Sequence, residues 1–168
     1  MRGSMEKGQE KNLRIAAAVL FIIYLLLLFY LLFFSEEYGR TMGEQSYRYN
    51  LHLFKEIKRF WNHRYTLGWK PVCINLLGNI AAFMPFGFFV PLLKRKYCGF
   101  IRCTVYSAAF SLCVETIQLV FKVGAFDVDD IVLNTIGGMV GYLLFRYGFL
   151  KLIGQKRKGG PSKDRKKT

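Results

Sequence analysis

The chain has 168 residues, a length that fits one domain. Hydrophobic residues make up 52% and fall in long blocks, which excludes a small water-soluble domain built on alternating patterns. The net charge of +14 is sorted by segment, so membrane topology accounts for it and no nucleic-acid partner is expected.

A bilayer core of about 30 Å needs about 20 apolar residues per helix. Four blocks meet that requirement: residues 15–34, 72–93, 100–121 and 131–150. The first two carry no charge; the third carries Arg102 and Glu115, and the fourth carries Arg146. Basic residues precede the first block, as in a signal peptide. Its apolar run is too long for that, and Phe33-Phe34-Ser35-Glu36-Glu37 makes a poor cleavage site, so a retained helix is expected.

Lys and Arg number four in residues 1–14, four in 94–102 and eight in 151–168. The positive-inside rule then predicts a multi-pass cell-membrane protein with both termini and the 94–99 loop in the cytoplasm. Residues 35–71 and 122–130 are expected outside, although the first of these also carries seven Lys and Arg. The basic tail 151–168 is expected to meet anionic lipid. No Cys sits in the middle of an exported loop and no CxxC is present, so neither a disulfide framework nor a zinc site is expected.

Between the first two spans, Ser35–Ser46 is polar and turn-like. Residues 47–61 show helical periodicity, with Leu53, Phe54, Ile57, Phe60 and Trp61 opposite Lys55, Glu56, Lys58 and Arg59. Such a helix lies flat at a membrane interface. Anchoring is its plainer role; covering a site on the outer surface is the sharper one. The predicted fold is therefore an all-α integral membrane protein, with four transmembrane helices and one interfacial amphipathic helix. Its organisation is a cytoplasmic 1–14, a membrane domain over 15–150 and the tail 151–168.

The second span contains Asn75, Asn79, Pro85, Gly87 and Pro91. Pro85 is expected to kink the helix or break its hydrogen-bond ladder, with Gly87 as a flexible neighbour. In the third span Thr104, Ala108, Ser111, Glu115, Gln118 and Lys122 share one face. In the fourth, Asp130, Asn134, Gly137 and Gly141 do the same, and Gly137 and Gly141 form a small-xxx-small pair for close helix packing.

Depth aligns these polar groups. At about 1.5 Å per residue, Asn75 and Asn79 lie about 5 and about 10 Å below the outer end of their span. Glu115 lies about 9 Å deep, while Gln118 and Asn134 lie about 5 Å deep. Three helices thus place acids and amides in the same outer half. Glu115 is either glue between helices, bonded to nearby amides, or an acid/base or ligand contact. Burial beside the Asp group predicts a raised pKa for it. Of Asp127, Asp129 and Asp130, Asp127 or Asp129 is expected as a helix N-cap. The spacing is not that of an EF-hand loop, and neither a metal nor a cofactor is expected. His52 and His63 read as interfacial surface residues.

Three motifs occur in order: Asn79-Ile-Ala-Ala-Phe-Met-Pro85-Phe-Gly87, then Glu115-Thr-Ile-Gln118, then Phe126-Asp127-Val-Asp129-Asp130-Ile-Val-Leu-Asn134-Thr-Ile-Gly137-Gly-Met-Val-Gly141-Tyr142. Over roughly residues 47–145 the chain resembles the VanZ-like family. The resemblance implies a small bacterial membrane protein associated with low-level teicoplanin resistance, without a switch of peptidoglycan precursor. Many members carry a basic residue just before the Phe-Asp motif; here Lys122-Val-Gly-Ala fills that stretch.

Two functions compete. One is a non-enzymatic envelope protein that limits teicoplanin at the outer face, with the drug, a lipid or a cell-wall precursor as partner beside the bilayer itself. The other is a small membrane enzyme or lipid-handling protein, with Glu115 as acid/base and the Asp group orienting a polar head group. A proton-coupled carrier is disfavoured by four short spans without an evident inverted repeat.

Overall fold

A computed structural model describes residues 2–34, 47–94 and 98–149. The expected polar stretch 35–46, the basic residues Arg95 and Lys96, and the tail 151–168 lie outside the described residues. Four helices are long and apolar enough to cross a membrane: Lys11–Phe33, Val72–Leu93, Phe100–Val120 and Val128–Phe149. The chain is an all-α multi-pass membrane protein. In order it comprises α1 (Arg2–Phe34), β1 (Arg48–Asn50), α2 (Lys55–Asn62), α3 (Arg64–Leu67), α4 (Trp69–Leu93), α5 (Phe100–Val120), β2 (Ala125–Asp127) and α6 (Val128–Leu143). A π-helical stretch, Leu144–Phe149, continues the last span.

α6 is the hub. It packs most extensively on α4 and next on α5, while α1 seats on α4. The α4–α6 approach is set by glycines. A Cβ added at Gly137 would collide with the Ile80 backbone, and one at Gly141 with the Met84 backbone. Gly87 meets Gly138 backbone in the same way. Between helices in lipid, such small residues allow the backbone contact that drives association. Gly87 is therefore a packing residue inside a helix rather than the flexible point expected from sequence.

The interfacial helix differs from its expected span of 47–61. It begins at Lys55, because Arg48–Asn50 instead pairs in parallel with Ala125–Asp127, in the register Arg48 to Ala125 and Asn50 to Asp127. The Asn50 side chain then accepts the His52 amide at 3.2 Å, a local turn that competes with helix. Phe54 follows in the left-handed region with φ 63°, which turns the chain into α2.

α4 runs as one helix through Pro85 and Pro91. Each proline deprives the carbonyl four residues earlier of its donor. For Pro91 that carbonyl is Gly87, and the Cys103 thiol donates to it across the α4–α5 contact at 3.5 Å. Near Pro85, the Tyr24 hydroxyl of α1 donates to the Ala82 carbonyl at 2.7 Å. At Pro91 a neighbouring helix thus serves the carbonyl that the proline frees, while the Tyr24 bond falls one residue past the carbonyl freed by Pro85.

The apolar interior has two parts. Leu28, Phe83 and Val114 form one cluster, flanked by Tyr24, Leu32, Ala82 and Phe110. Ala17, Leu92 and Phe145 form the other, flanked by Phe88, Phe89, Leu93 and Phe149.

Candidate functional site

The polar groups gather where α5 ends, β2 crosses and α6 begins. α5 stops in a reversed turn: Val123 donates to the Gln118 carbonyl and Lys122 to the Leu119 carbonyl, both at 3.1 Å. This Schellman arrangement needs a left-handed residue after the cap, a place usually held by glycine. Lys122 occupies it with φ 56°, and its ammonium lies 4.7 Å from the centre of the Tyr47 ring.

Asp127 closes β2 and is the N-cap of α6, accepting the Asp129 amide at 2.8 Å. The same oxygen accepts the Asn50 side-chain amide at 3.1 Å, tying β1 to the cap. Burial pushes the Asp127 carboxyl above its ordinary range, and the negative charges of Asp129 and Glu56 add to that. The hydrogen bonds from the Asp129 amide and Asn50 oppose it.

Asp129 is fully buried. Its carboxylate accepts the backbone amides of Phe54, Glu56 (2.9 Å) and Ile57 (3.2 Å). These are the orphan donors at the start of α2, and a carboxylate there also complements the helix dipole. Asp129 therefore serves the N-terminus of one helix from within the first turn of another.

The membrane-embedded groups connect to this arrangement. Glu115 is 3% exposed, and its Oε2 accepts the Asp127 amide at 3.0 Å. The Asn79 side-chain amide donates to Asp130 Oδ1. Gln118 donates to the Leu32 carbonyl at 3.0 Å, satisfying an open carbonyl in the last turn of α1. Asn134 donates to Ser111 Oγ at 2.9 Å, while its own Oδ1 is buried without a hydrogen-bond partner among the described residues.

Of the residues singled out from sequence, Asn79, Glu115, Gln118, Asp127, Asp129, Asp130 and Asn134 all lie in this region. Asn75 is half-buried, and its side chain makes no hydrogen bond among the described residues. His52 and His63 are exposed, and the His63 ring bonds the Arg59 carbonyl at 3.0 Å. The carboxylates serve different partners, and among the described residues no three His, Cys, Asp or Glu side chains are grouped as metal ligands.

Two contributors were missed: Asn50 and Gly138. Asn50 was hidden by reading 47–61 as continuous helix, although Asn ahead of an aromatic-basic run is a turn signal. Gly138 was passed over because the small-xxx-small pair drew attention to Gly137 and Gly141. α2 itself has no buried residue; Leu53, Phe54 and Trp61 are exposed, as suits a helix lying in the interface.

These features define a four-span helical membrane protein whose buried acids and amides are collected near one end of the bundle. The chain belongs to the VanZ/LLP1 family, whose profile matches residues 21–151. It is 34% identical over 71 residues to Protein VanZ of Enterococcus faecium, covering 42% of this chain and 44% of that protein. The chain thus aligns with less than half the length of that curated relative. No solved structure matches it.

Proposed function

We propose that the chain is a non-catalytic VanZ-type protein of the cell envelope that lowers susceptibility to teicoplanin. It acts from a polar site in the outer half of the membrane, formed by Asn79, Glu115, Gln118, Asp127, Asp129, Asp130 and Asn134. Asn75 stands at the margin of that site. The observation that carries this reading is the meeting of polar groups from three spans beneath the start of α2, through the Asn79–Asp130, Glu115–Asp127 and Asp129–α2 bonds. The bias of Lys and Arg toward residues 1–14, 94–102 and 151–168 supports cytoplasmic termini. In that orientation the polar end meets the wall-facing leaflet, where a glycopeptide, a lipid head group or a wall precursor is encountered.

The enzyme reading has less support. Glu115 Oε2 already holds the Asp127 amide, a structural use that an acid/base would have to interrupt. Expression in a susceptible Gram-positive host tests the proposal. The expected result is a raised inhibitory concentration for teicoplanin with little change for vancomycin. No change for either drug, with the protein present in the membrane, would overturn it.

A further inference from the structure

At the opposite end from the acid cluster, α1, α4 and α5 leave an apolar recess of about 310 Å³ lined by Phe21, Phe86, Val90, Leu93, Lys94 and Tyr106. That volume is at the lower end of the usual range for ligand pockets, about 300–1,000 Å³. Aromatic contacts build its floor: Phe21 packs on Phe86 and Phe89 at 5.9 and 5.8 Å, and Phe86 stacks on Phe110 at 4.6 Å. The wall is therefore rigid and greasy, and its rim is cationic.

Lys94 is the cap residue after α4, exposed, with its ammonium 5.7 Å from the centre of the Tyr106 ring. It makes no ion pair among the described residues. A lysine at the end of a membrane helix sits at the head-group level, and Tyr favours the same layer. An apolar slot that opens beside an uncompensated cation at this depth matches one molecule in two places. A hydrocarbon chain fits the slot, and an anionic head group fits the cation.

We propose that this recess holds an acyl chain of an anionic phospholipid from the leaflet on the 94–99 side, with the lipid phosphate on Lys94 and Tyr106 packed beside it. The site is separate from the outer polar cluster and does not rest on the teicoplanin reading. Among the described residues Lys94 is the cation that lines the recess.

The test is native mass spectrometry of the full chain in detergent with equal amounts of phosphatidylglycerol and phosphatidylcholine of identical acyl chains. The wild type is expected to retain phosphatidylglycerol in preference. Lys94→Gln is expected to reduce that retention about fivefold, the effect of one interfacial lysine, whereas Arg14→Gln, at an exposed α1 residue that does not line the recess, changes it much less. Val90→Trp, which fills the slot, is expected to lower retention of both lipids while the helical circular dichroism stays unchanged. If Val90→Trp disturbs the fold, the Lys94 and Arg14 comparison decides alone. Equal retention of the two lipids by the wild type would overturn the proposal. Equal losses from Lys94→Gln and Arg14→Gln would also do so, since they would assign the binding to diffuse surface charge.

Discussion

The two ends of the bundle are held by different physics. At the acid-rich end, side chains reach across elements to serve particular backbone amides: Asp129 serves α2, Asp127 serves α6, and Glu115 serves the turn into α6. At the other end Leu92, Phe145 and the surrounding phenylalanines fill space, and along the middle of the spans glycines bring α4 and α6 into backbone contact. A hydrogen-bonded end is sensitive to the chemistry of single atoms. A packed end is sensitive to volume. In lipid this contrast is sharpened, because apolar surface gains little by leaving the bilayer, whereas an unmet polar group finds no water.

Substitutions can break this comparison. The largest effect is expected from volume at the glycine seam between α4 and α6. Gly141→Leu drives a side chain into the Met84 backbone and should cost at least about 3 kcal/mol, read as loss of folded monomer in size-exclusion chromatography. A well-folded Gly141→Leu protein would show that the helices are not in backbone contact. Asp129→Ala should follow, at about 3 kcal/mol or slightly less, because it strands three amides at the start of α2. Asp129→Asn should recover part of that, since an amide oxygen still accepts; equal damage from both would point to charge rather than hydrogen bonding.

A pH series tests the electrostatics of the same end. The Asp127 carboxyl is raised by burial, so the folded state holds its proton more tightly than the unfolded chain. Its contribution to stability is fully present below the ordinary carboxylate range and is lost as pH rises through the raised value. Thermal unfolding in detergent should therefore show a downward slope across that window, which Asp127→Asn flattens. The smallest effect is at the α5 turn. Lys122→Gly relieves a left-handed lysine and should stabilise by about 0.5 kcal/mol after loss of the Tyr47 contact.

Much of this was legible in the residues. Uninterrupted apolar blocks mark helices in lipid, and a rise of about 1.5 Å per residue was enough to bring Glu115, Asn79 and Asn134 into the same half of the bundle. The small-xxx-small pair anticipated the α4–α6 seam. What was not legible depended on partners distant in sequence. β1 exists because Asn50 meets Asp127, and no local pattern announces a pairing with residues 125–127. Asp129 was a candidate cap for its own helix from sequence alone. Its partners are amides of a helix some 75 residues earlier. Pro85 pointed to a kink or a broken ladder; the donor that the Cys103 thiol gives the carbonyl freed by Pro91 comes only from tertiary packing.

The proposed function has the acid-rich end acting through hydrogen bonding and shape, not through proton transfer. Glu115→Gln tests it most directly, because the substitution keeps an oxygen for the Asp127 amide and removes the titratable proton. At matched membrane levels in a susceptible Gram-positive host, the variant is expected to retain the teicoplanin protection proposed for the wild type. Loss of that protection with the variant folded and present in the membrane would contradict the account and favour Glu115 as an acid/base.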